Sequence, residues 1–162
     1  MSPIGSDQFK DTLRFFASGV TILTIRAGEV RHGLTVSAFA SVSPEPPLIA
    51  VLVDQRHRGH QLLVEPGAAF AVNVLTAEQS DLSERFAWSP EGDRFAAGRW
   101  TTAVTGAPIL EDALAWLDCR PVERFTAGSH SVFVGEVLAS ATREDGQGPL
   151  LYWNRGYRKL AR

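Results

Sequence analysis

The stretch from Gly33 to Pro47 constrains the fold more than any other part of the chain. From Gly33 to Ser43, Leu34, Val36, Ala38, Ala40 and Val42 fall on one parity, and Thr35, Ser37, Phe39, Ser41 and Ser43 on the other. A period of two marks extended chain, whose successive side chains leave opposite faces. The stretch therefore reads as a strand with one apolar face and one face carrying four hydroxyls. Pro44, Pro46 and Pro47 then force a turn.

The flanking segments extend this β pattern. Val20 to Ile25 and Leu48 to Val53 are apolar on both parities, as strands buried on two faces are. Short turns separate the first three strands, which favours antiparallel neighbours over helical crossovers. Phe70 to Leu75, Ala115 to Val122, Ser131 to Ala139 and a short Leu150 to Trp153 add further strands. Pro121 implies a bulge or an edge in its strand. Helices are expected to be few. Asp7 to Phe16 places Phe9, Leu13 and Phe16 on one face, with Ser6 or Asp7 as cap. His60 to Val64 forms a short helix. Thr76 to Gln79 reads as a capping box that starts a helix running to about Ala87 and burying Leu82 and Phe86. Ser89 to Gly106 reads as loop. Six or seven strands with few helices point to a closed or nearly closed barrel.

Composition narrows the functional classes. The 162 residues suit one domain, with 44% hydrophobic and 21% charged residues typical of a globular chain. A net charge of -2 argues against a nucleic-acid binder. Cys119 is the lone cysteine, so no internal disulfide can form and a cytoplasmic setting is expected. Met1 to Ser6 lacks the basic and apolar regions of a secretory leader. The longest apolar run, Leu48 to Val53, is too short to span a bilayer, so no membrane association is expected. Dinucleotide-binding G-x-G-x-x-G, P-loop and G-x-S-x-G motifs are all absent. His57 and His60 are flanked by Arg56 and Arg58, whose charge opposes a metal, and no metal site is expected. Cys119 shares the apolar parity of Ala115 and Leu117 and reads as core.

Four segments remain as candidates for chemistry, each with two readings. The hydroxyl face of Thr35 to Ser43 can bind the polar edge of a planar heterocycle or a phosphate, or be a wet strand face. Arg56, His57, Arg58 and His60 form either a phosphate site at a strand end or a solvated loop. His130, in the Gly128-Ser129-His130 turn, either orients a polar ligand or serves the turn. Tyr152 to Tyr157 forms either a stacking lid or a tail packed on the barrel.

The order of several short motifs adds to these readings. They are Gly19-Val20-Thr21-Ile22, Gly33 to Ser43 with Pro46-Pro47-Leu48, Phe70 to Leu75, and Asp93-Arg94-Phe95. Gly106-Ala107-Pro108, Gly128-Ser129-His130 with Phe133 to Val137, and Leu150-Leu151-Tyr152 complete the set. From about Asp11 to Leu160 the chain resembles the flavin reductase family of two-component monooxygenase systems. The resemblance implies a mainly β (α+β) fold over a single domain, residues 1–162. That fold is an FMN-binding split β-barrel, antiparallel with Greek-key connections and a few short flanking helices. It also implies a homodimer.

In such a protein Thr35, Val36, Ser37 and Ala38 would line the isoalloxazine, largely through backbone groups. Ser41, Val42 and Ser43 would reach the ribityl chain and phosphate. Asp54 opens the loop in which Arg56 and Arg58 would add phosphate contacts, since the serines and threonines frequent in the family are missing there. His130, Tyr152, Arg155 and Tyr157 would lie near the nicotinamide, His130 orienting it or donating a hydrogen bond as the one side chain given a catalytic part. The implied reaction is hydride transfer from NADH or NADPH to FMN or FAD. The two cofactors carry that chemistry, which accounts for the lack of a catalytic triad. Reduced flavin would pass to a separate flavin-dependent monooxygenase. The competing readings are a split-barrel oxidase of the pyridoxamine-phosphate-oxidase type, a non-enzymatic flavin- or haem-binding module, and a structural dimer with an empty pocket.

Overall fold

The computed structural model describes residues 1–161. It opens with helix α1 (Ser6–Leu13), capped by the Gly5 backbone rather than by a side chain. The helix ends three residues before the expected Phe16, and residues 14–16 form a turn. Strand β1 (Ser18–Gly19) pairs with Tyr152 and Leu151 near the other end of the chain. Strands β2 (Thr21–Ala27) and β3 (Val30–Val36) follow as a hairpin. Strands β4 (Phe39–Pro44) and β5 (Pro47–Asp54) form a second hairpin around Glu45-Pro46.

Helix α2 (Arg58–Leu63) leads to strand β6 (Ala69–Val74). Helix α3 (Ser80–Trp88) begins three residues later than the capping-box reading places it. The Gln79 side chain does accept from the Thr76 amide at 2.9 Å, but the bond closes a turn. Thr76 itself is held in a bridge to Pro149, and this tertiary pairing overrides the local helix signal. Within the expected loop from Ser89 to Gly106 lie helix α4 (Glu91–Arg94) and strand β7 (Trp100–Thr101), which pairs with β8 (Ile109–Leu110).

Strands β9 (Ala115–Ala127) and β10 (His130–Thr142) are thirteen residues each, longer than the apolar runs alone indicate. Beyond Arg120 strand β9 has lost its β6 neighbour and pairs with β10 alone, and its register shifts beside Pro121. Both the edge and the bulge expected of this proline are present. A last hairpin, β11 (Leu151–Trp153) and β12 (Gly156–Arg158), turns at Asn154-Arg155, both with positive φ. Strand β12 has no apolar alternation to announce it.

Seven strands form one antiparallel sheet in the order β3-β2-β6-β9-β10-β5-β4. Strands β3 and β4 are its two edges, yet only Ser37 and Ala38 separate them in sequence. Flat, seven strands would hold these edges about 29 Å apart at ~4.8 Å per strand. The chain from Val36 to Phe39 reaches about 11 Å at ~3.8 Å per residue step. The sheet therefore has to curl until its edges meet at one corner, giving the split barrel, with Greek-key links between β2 and β6 and between β5 and β10. Inside it lie Leu23, Ile25, Val51, Phe70, Val72, Cys119 and Phe133. No helix among the described residues is long and apolar enough to cross a membrane.

The corner also corrects the alternation of Gly33 to Ser43. Leu34 and Val36 face the core as expected. At Ser37-Ala38 the strand breaks and its parity inverts, so Phe39 packs on the core while Ala40 and Val42 face out. A second register shift falls between Ser41 and Ser43.

Helix α3 lies against β3 at Gly33, where Phe86 occupies the space of a side chain and a Cβ would overlap its ring. Phe86 is fully buried among Phe95 and Trp100, so the ring has little room to retreat. Gly33→Ala is expected to destabilise the protein by about 1–3 kcal/mol, the usual cost of overpacking a tight core. The shift of the urea unfolding midpoint measures it.

Candidate functional site

Three depressions meet at the corner between β3 and β4. One of about 240 Å³ is lined by Thr35, Val36, Ser37, Ala38, Asp54 and His130, with His57 at its side. A second of about 410 Å³ continues past Thr35 and Ser37 between α3 and the β11–β12 hairpin, reaching Tyr152, Arg155 and Tyr157. A third of about 450 Å³ runs from Ser37 and Ala38 along α1. Ser37 lines all three.

The corner backbone is itself a polar surface. The Ser37 and Ala38 carbonyls accept from Phe39 and Leu52, at 3.0 and 3.1 Å. Their amide N–H groups have no acceptor among the described residues, and both residues are exposed. Two adjacent unpaired donors on an open floor suit an acceptor-rich planar ligand, because unpaired backbone donors gain most from a new acceptor. This is the test a flavin sets, and the residues present meet it: the heterocycle edge would bond to backbone N–H groups, with Thr35, Val36 and His130 around it.

Other nominated residues are placed differently. Ser41 and Val42 are exposed and Ser43 is half-buried on β4, and none of them lines the three depressions. Both arginines proposed for phosphate are already engaged. Arg56 donates to Asp54 from Nη2 at 2.7 Å and from Nε at 3.1 Å. The Arg56 guanidinium beside Asp54 holds that carboxyl well below the usual range. Arg58 donates to Glu91 at 2.7 Å. His130 opens β10 opposite Asp54 rather than sitting in the turn, which consists of Gly128 and Ser129 alone. Ser129 Oγ lies 2.9 Å from its Nδ1 and fixes the ring.

Helix α3 supplies site residues that sequence reasoning missed. Thr35 Oγ1 donates to the Ser83 carbonyl at 2.5 Å, and Ser83 Oγ lies 2.8 Å from the Tyr157 hydroxyl. These bonds tie β3, α3 and the last hairpin together around the 410 Å³ cleft, whose α3 wall also carries Glu84, Ala87 and Trp88. Ser83 sits at helical spacing beside Phe86, a sign of a core-facing position but not of this contact.

Behind the floor a buried arginine lies beside two histidines. Arg94 is buried and donates to the Gly33 carbonyl at 2.6 Å. The His32 and His57 rings meet at a tilt of 56° with centroids 5.4 Å apart, and His57 Nδ1 caps α2 by accepting from Gly59 N at 3.0 Å. Burial brings the His32 pKa down to about 4, with Glu91 opposing and His57, Arg94 and Arg58 assisting. Burial and Arg94 also lower His57. Burial likewise pushes the Cys119 thiol up to about 12, so the one cysteine stays an unreactive core residue.

Residues 13–161 match the model of the flavin reductase like domain. The chain belongs to this family. It is 40% identical over 155 residues to the reductase component of 4-hydroxyphenylacetate 3-monooxygenase from Thermus thermophilus, covering 95% of this chain and 96% of that protein. It is 34% identical over 161 residues to the FMN reductase (NADH) RutF of Stutzerimonas stutzeri, covering 99% and 91%. Among solved structures it is similar to the NADH:FAD oxidoreductase SgcE6 of Streptomyces globisporus C-1027, with a TM-score of 0.90, 32% identity and coverage of 100% and 97%.

The histidine pair makes stability depend on pH in a defined direction. In the folded chain His32 and His57 resist protonation, while in the unfolded chain they take up a proton near pH 6.5. The contribution of His32 is complete above that value and lost as pH falls toward about 4, and that of His57 falls in the same direction. The unfolding free energy is expected to fall between pH 6.5 and 4, by up to about 1.4 kcal/mol per pH unit from His32, with His57 acting in the same direction. His32→Gln should flatten that slope, read from urea midpoints across the pH series.

Proposed function

We propose that this chain is an NAD(P)H-dependent flavin reductase that supplies reduced flavin to a separate monooxygenase. The observation that carries this reading is the pair of unpaired amide donors at Ser37 and Ala38, set where three depressions converge in a member of the flavin reductase like family. A bound flavin supplies the hydride acceptor and a reduced nicotinamide the donor, so the chain's own task is to bind, orient and shield.

Each part of the corner has a share in that task. The Ser37 and Ala38 amides hold the acceptor edge of the flavin and favour negative charge there. Thr35, through Ser83, holds α3 against the floor, and Tyr157 fixes the hairpin to the same helix. Tyr152 and Tyr157, with ring centroids 5.7 Å apart and planes at 69°, edge to face, give the donor cleft an aromatic wall. His130 borders the floor beside Asp54, with its ring orientation set by Ser129, and orients the nicotinamide. An open cleft also lets flavin leave after reduction, as delivery to a partner enzyme requires.

The assembly is read as a homodimer. Leu52, Val132 and Phe125 lie in one row across β5, β10 and β9. Leu52 and Phe125 are exposed, and such an apolar row on a sheet face favours burial against a second copy. The reductase names of the relatives support the reaction class, and the name of the Thermus thermophilus relative supports a monooxygenase partner.

Purified protein mixed with NADH or NADPH and with FMN or FAD is expected to consume the nicotinamide only when flavin is present, followed at the nicotinamide absorbance band. Absence of flavin-dependent oxidation with every pairing would sink the enzyme reading. His130→Ala should raise the KM for the nicotinamide about tenfold, the loss of one good polar contact, while flavin affinity changes less than twofold. Equal losses in both would count against the role given to His130.

A further inference from the structure

One hydroxyl at the 410 Å³ cleft carries a proton whose direction follows from its partner's burial. Ser83 Oγ and the Tyr157 hydroxyl lie 2.8 Å apart, and neither oxygen has a second hydrogen bond among the described residues. Two hydroxyls bring two protons; one fills the bond between them and the other needs an acceptor elsewhere. Ser83 is fully buried, so water cannot take its proton. The Gln79 carbonyl one turn back accepts from the Ser83 amide, not from Oγ. If Tyr157 were the donor, the Ser83 proton would be buried with no acceptor, at the full cost of its desolvation. Ser83 therefore donates and Tyr157 accepts. The proton of Tyr157 is left for the cleft that its side chain lines.

We infer that Ser83 is a positioning residue for the reaction, aiming the Tyr157 O–H at the carboxamide carbonyl of the nicotinamide donor. The inference rests on the flavin reductase reading, which puts the donor in this cleft. Tyr157 is held in place by its pairing with Tyr152 across the last hairpin and by the Tyr152 ring, edge to face at 5.7 Å. Glu84 lines the same cleft and forms no ion pair among the described residues, so its charge disfavours an anion there. Arg155, the cation of the cleft, is committed to Asp11 at 2.7 Å. A neutral donor beside a free carboxylate suits an uncharged carbonyl. The acceptor edge of the flavin is already given to the Ser37 and Ala38 amides, and the carboxamide of the donor remains. A hydroxyl that accepts one hydrogen bond donates a stronger one, so Ser83 both orients Tyr157 and polarises it. Thr35 donates to the Ser83 carbonyl at 2.5 Å, so one turn of α3 sets the donor contact and the floor together.

The experiment measures kcat and KM for NADH and for reduced thionicotinamide adenine dinucleotide, whose thiocarbonyl accepts hydrogen bonds poorly. Wild type, Tyr157→Phe, Ser83→Ala and the double variant are compared, with flavin Kd taken from fluorescence titration. The ratio of kcat/KM for NADH to that for the thio analogue is expected to fall about fivefold in Tyr157→Phe, the loss of one neutral hydrogen bond. Ser83→Ala should lower the ratio in the same direction. The double variant should match Tyr157→Phe alone, because Ser83 acts through Tyr157. Flavin Kd should change less than twofold in all three. An unchanged ratio in Tyr157→Phe overturns the inference. A further loss when Ser83→Ala is added to Tyr157→Phe also overturns it, since Ser83 then acts as a brace for α3 alone. Parallel losses for both nucleotides with weakened flavin binding overturn it in the same way. Ser83→Cys, a weaker donor of similar shape, replaces Ser83→Ala should the alanine variant fail to fold. Wild-type turnover with an unmoved ratio sinks the inference and leaves the reductase reading standing; no flavin-dependent oxidation of either nucleotide by wild type sinks both.

Discussion

Closure of a seven-stranded sheet through two residues is the constraint from which the rest follows. Because β3 and β4 are opposite edges, Ser37 and Ala38 cannot continue either ladder, and their amides are left unpaired at the surface. An edge normally invites association with another strand. Here the open backbone is only two residues long and is walled by α1, α3 and the last hairpin, so it accepts a small ligand more readily than a chain. The break that closure forces on the ladder and the floor proposed for the flavin are the same two residues.

The walls are positioned by polar bonds that reach across long sequence distances. Thr35, Ser83 and Tyr157 form one chain of hydroxyl and carbonyl contacts from the sheet through α3 to the hairpin. Elsewhere the buried Asp118 carboxylate accepts from the Val104 and Thr105 amides, each at 2.8 Å, and fixes the long connection ahead of β8. Asn73 does similar work, donating to the Ile22 carbonyl and accepting from Leu110 N. A small barrel has few helices to brace its loops, and these side chains take the place of such braces.

What the sequence disclosed, and what it hid, divides along local and non-local causes. Strands with strong apolar patterns, such as Thr21–Ala27, Pro47–Asp54 and Ala69–Val74, were legible to within one or two residues because side-chain periodicity reports burial directly. The outer end of β9 beyond Val122 and the last three residues of β10 were hidden, since their exposed residues carry no alternation to read. The inversion at Ser37-Ala38 was hidden too, because one alternation spans two strands and only the tertiary pairing of Leu52 with Ala38 marks the break. In the site, the segments facing the corner were readable from composition and motif order. Their electrostatics were not: whether Arg56 and Arg58 are available depends on Asp54 and Glu91, and Glu91 lies 33 positions from Arg58.

A floor made of main chain has a consequence for how such proteins diverge. An amide donor is the same whatever side chain is attached, proline excepted, so positions 37 and 38 can change identity without changing what they offer. Selection on binding then falls on the path of the backbone, which closure of the sheet already enforces, and the walls are left to drift. Relatives that share about a third of their residues over nearly the whole chain can thus keep one floor while trading the side chains that choose what lies on it.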